Sequence, residues 1–140
     1  MSYTESTQKL THEGVMVALR AAIDKATEIG QPQCIVIVDA SGESIGEIRM
    51  SGAKFLSLKS ARAKARTAAS NRAPTANIPA DFAPKIAIAT QNSVTGLPGG
   101  LPIAFDGDVI GAIGVGSGSG EQDLAVGGAA LAAIGADQIG

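Results

Sequence analysis

The side chains best suited to chemistry in this 140-residue chain are one arginine, one lysine and a few carboxylates. Arg49 stands shortly before a Ser-Gly break, and Lys64 lies near the middle of the helix that we predict after it. Together they can hold a carboxylate, because arginine offers a planar fork of donors and lysine a point charge. Glu121 and Asp123 precede the last predicted helix. A carboxylate beside a lysine in a closed pocket can be tuned for acid–base chemistry.

Each of these residues also has a purely structural interpretation. Arg49 can pair with Glu47 or Glu43 on the sheet surface, and Lys64 can be solvated. Asp123 can cap the last helix or complement its first turn. Asp39, a further acidic candidate, can close an Asx turn in the segment Asp-Ala-Ser-Gly. The sequence alone leaves these alternatives open.

Motifs for nucleophilic, phosphate or zinc chemistry are weak. His12 is the sole histidine, at a predicted helix start, and Cys34 is the sole cysteine. Cys34 begins the apolar run CIVIV, so we expect a buried, inert thiol. One cysteine and one histidine do not make a zinc site, and the sequence predicts no metal centre. The segment GSGSG at 116–120 lacks the lysine of a phosphate loop and a histidine partner for a serine nucleophile.

Composition and charge narrow the function classes. A net charge of −2 argues against general nucleic-acid binding. Basic residues do cluster between Lys54 and Arg72. Such a cluster indicates either a solvated helix face or a surface that binds an anion or contacts another subunit. The first ten residues lack the features of a signal peptide, and no apolar run reaches the ~20 residues of a membrane span. We therefore expect a soluble, cytoplasmic protein, and the many alanines favour burial in oligomer contacts.

The elements that must position these residues follow from the periodicity of the chain. Residues 1–10 are polar and predicted to be a flexible N-terminus, and residues 11–140 are predicted to form a single domain. Two hairpins imply an antiparallel sheet, the second turning at Asp106-Gly107. The segment KIAIATQ fits either a strand or a short helix. The order is helix, strand, strand, helix, loop, strand, strand, helix, an α+β architecture in which we expect the helices on one face of the sheet.

Three stretches carry a resemblance to a known family: VDASGESIGEIRMSGA, AKARTAA and GGLPIAFDGDVIGAIGVGSGSGEQD. Over roughly residues 10 to 135 their combination resembles the GlcG/HbpS family, also called DUF336, which includes the C-terminal domain of PduO-type proteins. The resemblance implies a profilin-like α+β fold of order α-β-β-α-(α)-β-β-α. It also implies a homo-oligomer such as an octamer. The chain departs from the family pattern at Ser51, where an aspartate is usual.

For function, the resemblance implies binding of haem or a related tetrapyrrole, which some members degrade. His12 is then the histidine available to a haem iron. Two alternatives remain: a small catabolic enzyme acting by acid–base chemistry on a planar or carboxylated metabolite, and a structural assembly partner. The predicted catalytic residues are Lys64, Glu121 and Asp123. The predicted ligand-binding residues are Asp39, Arg49, Gly99, Gly100 and Pro102.

Overall fold

The computed structural model describes residues 2–138 and shows a four-stranded antiparallel sheet with helices packed on it. The predicted α+β class and element order are confirmed. Residue 1 of the predicted N-terminal segment and residues 139–140 of the predicted domain lie outside the described residues. The elements in chain order are α1 (His12–Glu28), β1 (Cys34–Asp39), β2 (Ser44–Arg49), α2 (Leu56–Asn71), a 3₁₀ turn (Thr75–Asn77), α3 (Ala83–Ala89), β3 (Gly100–Phe105), β4 (Asp108–Gly116) and α4 (Gly120–Ala133).

The strands lie in the order β2-β1-β4-β3, and every neighbouring pair is antiparallel. In the central pair Cys34 lies opposite Gly116 and Asp39 opposite Gly111. Both hairpin turns therefore lie at one end of the sheet. The start of β1 and the end of β4 lie at the other end, together with the start of β3 at Gly100. This second end is where the candidate site forms.

Both faces of the sheet are covered by helices, which corrects the expectation of helices on one face. Ile35 and Ile37 of β1 pack with α1 and α4 in one apolar cluster. Cys34, Val36 and Val38 face the alanines of α2 in a second cluster. An unbroken apolar run such as CIVIV is typical of a strand that is buried on both sides, because no face is left for polar residues.

Local signals set the ends of several elements. The Thr11 hydroxyl accepts a hydrogen bond from the Gly14 N–H at 3.1 Å and caps α1. Asp106 and Gly107 have φ of 51° and 84°, as a two-residue type I′ hairpin turn requires. The ambiguous segment KIAIATQ lies mostly in the short helix α3. Among the helices described, none is both long and apolar enough to cross a membrane.

Candidate functional site

A buried lysine joins three elements at the end of the sheet opposite the two hairpin turns. Lys64 on α2 is only 5% exposed. Its Nζ donates hydrogen bonds to the Val115 carbonyl oxygen of β4 at 2.8 Å and to Asp123 Oδ2 of α4 at 3.0 Å. The alternative of a solvated Lys64 is therefore excluded. A charge buried this deeply is tolerated because it is both paired and hydrogen-bonded.

Asp123 lies in the first turn of α4 and is also the ion-pair partner of Lys64. It is 2% exposed, and its second oxygen, Oδ1, accepts a hydrogen bond from the Gly118 N–H at 3.1 Å. Ser119 and Gln122 form a reciprocal capping box just before it, which fixes the start of α4. The helix N-terminus also favours the negative charge of Asp123. The carboxylate is thus held by one cation, one amide and the helix end.

Two glycines predicted as ligand contacts allow β3 to approach this pair closely. Gly99 has φ of +120°, and a Cβ there would lie 2.6 Å from the Val115 carbonyl oxygen and 3.1 Å from Lys64 Nζ. A Cβ on Gly100 would overlap the Lys64 carbonyl oxygen. Pro102, the third residue of this motif, is buried within β3 opposite Ala112. Gly99 and Gly100 therefore shape the site by having no side chain.

A polar cavity of about 260 Å³ opens onto the lysine–aspartate pair. Lys64 and Asp123 line it together with Lys54 and the loop that leads into α4. Its two lysines and one aspartate give the wall a formal charge of +1. The buried Lys64–Asp123 pair therefore lies next to a space that a small ligand can enter.

The remaining predicted residues lie outside this cavity. Arg49 is exposed at the end of β2, opposite Cys34. Glu47, one of the two glutamates that we considered as its partner, instead pairs with Arg62 at 2.9 Å. Glu121 is exposed in the first turn of α4 and is not part of the cavity wall. Of the three predicted catalytic residues, the structure brings together two.

Asp39 lies at the other end of β1, roughly 16 Å from Cys34 at about 3.3 Å per residue. Its Oδ1 accepts hydrogen bonds from the Ser41 and Glu43 N–H groups at 2.9 and 3.1 Å. The Asx-turn alternative is therefore the observed geometry. His12 is the first residue of α1, with a side chain 90% exposed and Nε2 3.8 Å from the Glu13 carboxylate.

Sequence reasoning missed Gln33, which lies just before β1. Its side chain is fully buried, and neither Oε1 nor Nε2 has a hydrogen-bond partner among the described residues. A Cβ on Gly118, in the cavity wall, would come within 2.6 Å of Gln33 Nε2. The available signal was a glutamine directly before an apolar run, where a polar side chain is buried together with the strand.

Comparison with known proteins places the chain in a family. The family model described as haem degrading protein HbpS-like matches residues 10–132. The corrinoid adenosyltransferase PduO of Citrobacter freundii is 31% identical over 135 residues, which cover 93% of this chain and 40% of that protein. The chain thus spans about two fifths or less of the length of the PduO relatives that it matches.

Solved structures agree with this assignment. The crystal structure of a PduOC:heme complex superposes with a TM-score of 0.88 at 29% identity, covering 95% of this chain and 100% of that one. Klebsiella pneumoniae ORFY superposes with a TM-score of 0.92 at 29% identity, covering 96% and 97% of the two chains. The resemblance found in the sequence is confirmed: this chain belongs to the HbpS-like (DUF336) family.

Proposed function

We propose that this protein binds haem and that His12 would hold its iron. The HbpS-like family and the PduOC:heme complex support haem as the ligand. In this chain the observation that carries the proposal is the 90% exposed His12 side chain, because its ring nitrogens are open to an incoming iron. The family description includes haem degradation; for this chain we propose binding.

The surface around His12 suits a porphyrin. Met16, one turn later on the same side of α1, is 64% exposed and offers an apolar contact to the ring. Arg20, a further turn along, is exposed and offers a cation to a propionate. His12, Met16 and Arg20 follow each other at spacings of four, so they lie along one helix face. When bound, haem would supply a redox-active iron; the chain would supply the nitrogen ligand, the apolar contact and the cation.

A haem held by His12 would have one side without a second histidine from the same copy, because His12 is the sole histidine. A second copy can cover that side with its own α1. This arrangement supports the proposal of a homo-oligomer. If haem holds copies together, removing its ligand will change the size of the assembly.

A haem titration of the purified apoprotein tests this proposal. We expect a stoichiometric shift of the Soret band that is lost in His12→Ala, with a smaller assembly by light scattering for the variant in the presence of haem. Glu13→Ala is the matched control, because it alters the neighbouring exposed side chain and keeps the imidazole. A Soret shift that persists unchanged in His12→Ala would contradict His12 as the ligand, and no shift in the wild type would contradict haem.

The lysine–aspartate pair favours a second candidate, acid–base chemistry on a small carboxylated metabolite. Lys64 and Asp123 are in contact at 3.0 Å, and both line a cavity. In this candidate Asp123 accepts the proton that leaves the substrate carbon, and Lys64 donates a proton to the carbonyl oxygen as the enol forms; the reverse steps return a proton from solvent to the carbon. Proton transfer by a positioned side chain typically contributes about 10²–10⁴-fold to a rate.

Deuterium exchange at the carbon next to the carbonyl of 2-oxobutanoate, followed by proton NMR, tests this second candidate. We expect wild-type protein to catalyse the exchange and Lys64→Met to lose it by at least about 100-fold. Because Lys64→Met leaves Asp123 as an unpaired buried charge, circular dichroism must confirm folding, and Asp123→Asn serves as a second variant. Exchange that is absent in the wild type, or unchanged in folded Lys64→Met, would reject the assignment.

A further inference from the structure

The polar cavity adjoins a larger apolar groove on the outer side of α2. The groove has a volume of about 710 Å³ and lies between α2, α3 and the segment that leads to β3. Ser60 and Leu97 line both spaces, so the two adjoin each other at these residues. The groove wall is mostly apolar, with Leu56, Ala63 and Ala87 among its residues. A ligand that fills both spaces needs an apolar body and a polar end.

The polar end offers hydrogen-bond donors. Both oxygens of Asp123 are already engaged, one by Lys64 and the other by the Gly118 N–H. The first N–H groups of a helix have no intrahelical partner, and Gly120, the first residue of α4, lies in the cavity wall. Ser117 accepts a hydrogen bond from the Lys54 N–H, which leaves its own hydroxyl proton to donate. A ligand group at this end must therefore be an acceptor.

The positive charge of the lining and one unpartnered side chain also favour a ligand group that accepts hydrogen bonds. Lys54 and Lys64 in the cavity and Lys59 in the groove outnumber Asp123. The fully buried amide of Gln33 lies directly behind Gly118 and makes no hydrogen bond among the residues described. Burying a polar group without a hydrogen-bond partner is unfavourable, and the amide of Gln33, beside the cavity wall at Gly118, keeps its N–H groups available to donate.

We propose that these two adjoining spaces together bind a carboxylic acid with an apolar body, its carboxylate at the start of α4 and its body in the groove between α2 and α3. The groove lies on the face of the sheet covered by α2, and the polar cavity lies at the end of the sheet between α2 and the start of α4; His12, on α1, lines neither space. The inference therefore does not depend on haem binding. It names a substrate class for the acid–base candidate, although binding is expected whether or not chemistry follows.

Titration with 4-phenylbutyrate, monitored by backbone amide NMR shifts and calorimetry, tests the proposal on the full chain. We expect saturable 1:1 binding that shifts the Gly118, Gly120, Ala63 and Ala87 signals. The uncharged analogue 4-phenylbutanamide is expected to bind at least tenfold more weakly. Equal affinity for the acid and the amide, no binding, or shifts confined to other surfaces would each overturn the proposal.

Two variants with matched controls locate the ligand. Ala63→Glu places a carboxylate in the groove and is expected to weaken phenylbutyrate binding at least tenfold, whereas Ala89→Glu, exposed on α3 outside the groove, leaves it unchanged. Lys54→Gln is expected to weaken binding about threefold to tenfold, and Lys85→Gln, outside the wall, not at all. Affinity insensitive to Ala63→Glu overturns the inference. Binding without deuterium exchange contradicts only the acid–base candidate.

Discussion

At the scale of single residues, the clearest electrostatic effect of folding falls on Cys34. Burial raises the pKa of its thiol above the ordinary value of 9.0, and the nearby Arg49 guanidinium opposes part of that rise. The thiol sulfur lies 3.4 Å from the Lys54 carbonyl oxygen, to which it donates. The predicted burial of Cys34 is confirmed. Its raised pKa means that the folded state keeps the thiol protonated where the unfolded chain already releases the proton.

We therefore expect Cys34 to lower the stability of the fold in alkaline solution. Above about pH 9 the unfolded chain binds fewer protons than the native one, so the free energy of unfolding decreases as pH rises toward the native pKa. Below pH 9 the thiol is protonated in both states and contributes no pH dependence. Urea unfolding at pH 7 to 10.5, compared with Cys34→Ala, measures the difference. A stability difference between the two proteins that stays constant across this range would contradict the effect.

The site residues show what residue types alone can predict. Lys64 and Asp123 were singled out because a lysine and a carboxylate suit acid–base chemistry, and the structure places them in contact. Gln33 was missed, because nothing in a single glutamine indicates that its amide is buried without a partner. Arg49 was grouped with Lys64 on chemical grounds, but the sheet places it on an exposed edge strand. Side-chain type predicts the chemistry, whereas register decides which side chains meet.

At the scale of elements, α2 packs on β4 through small residues. Gly114 faces α2 so closely that a Cβ there would overlap the Ala61 carbonyl oxygen and lie 2.6 Å from the Ala65 N. The inner side of α2 is made of Ala61, Ala65 and Ala68, which explains why its apolar stripe is weak in the sequence. Close approach of a helix to a sheet requires small side chains on both elements.

Gly114→Ala should therefore destabilise the protein, by at least about 1–3 kcal/mol, because the contact is with backbone atoms that cannot rotate away. Gly128→Ala is the matched control. A Cβ on Gly128, within α4, meets no atom within 4 Å, and alanine favours the helix by about 0.5–1 kcal/mol over glycine. Thermal or urea unfolding measures both variants. Equal stability of Gly114→Ala and the wild type would show that α2 can shift without loss.

At the scale of the whole molecule, the sequence predicted the element order and the antiparallel sheet, because hairpin turns and helix caps are local signals. It did not predict that helices cover both faces. The strand β2 is exposed along most of its length, as in a sheet with one face in solvent. The strand β1, in contrast, is buried on both faces. Which face a helix covers depends on connections between distant elements, and these leave little trace in local patterns. The proposed haem surface on α1 and the groove of the proposed carboxylate site, beside α2, therefore lie on opposite faces of the sheet.

The central position of β1 has a consequence for how the protein is made. Its partner β4 follows it in the chain by more than half the total length, because Cys34 lies opposite Gly116. During synthesis β1 and β2 are therefore complete well before β4 exists to cover the other edge of β1. An exposed apolar strand edge invites association with other chains. The native sheet therefore cannot close until β4 has been made, and until then one edge of β1 is open to association with other chains.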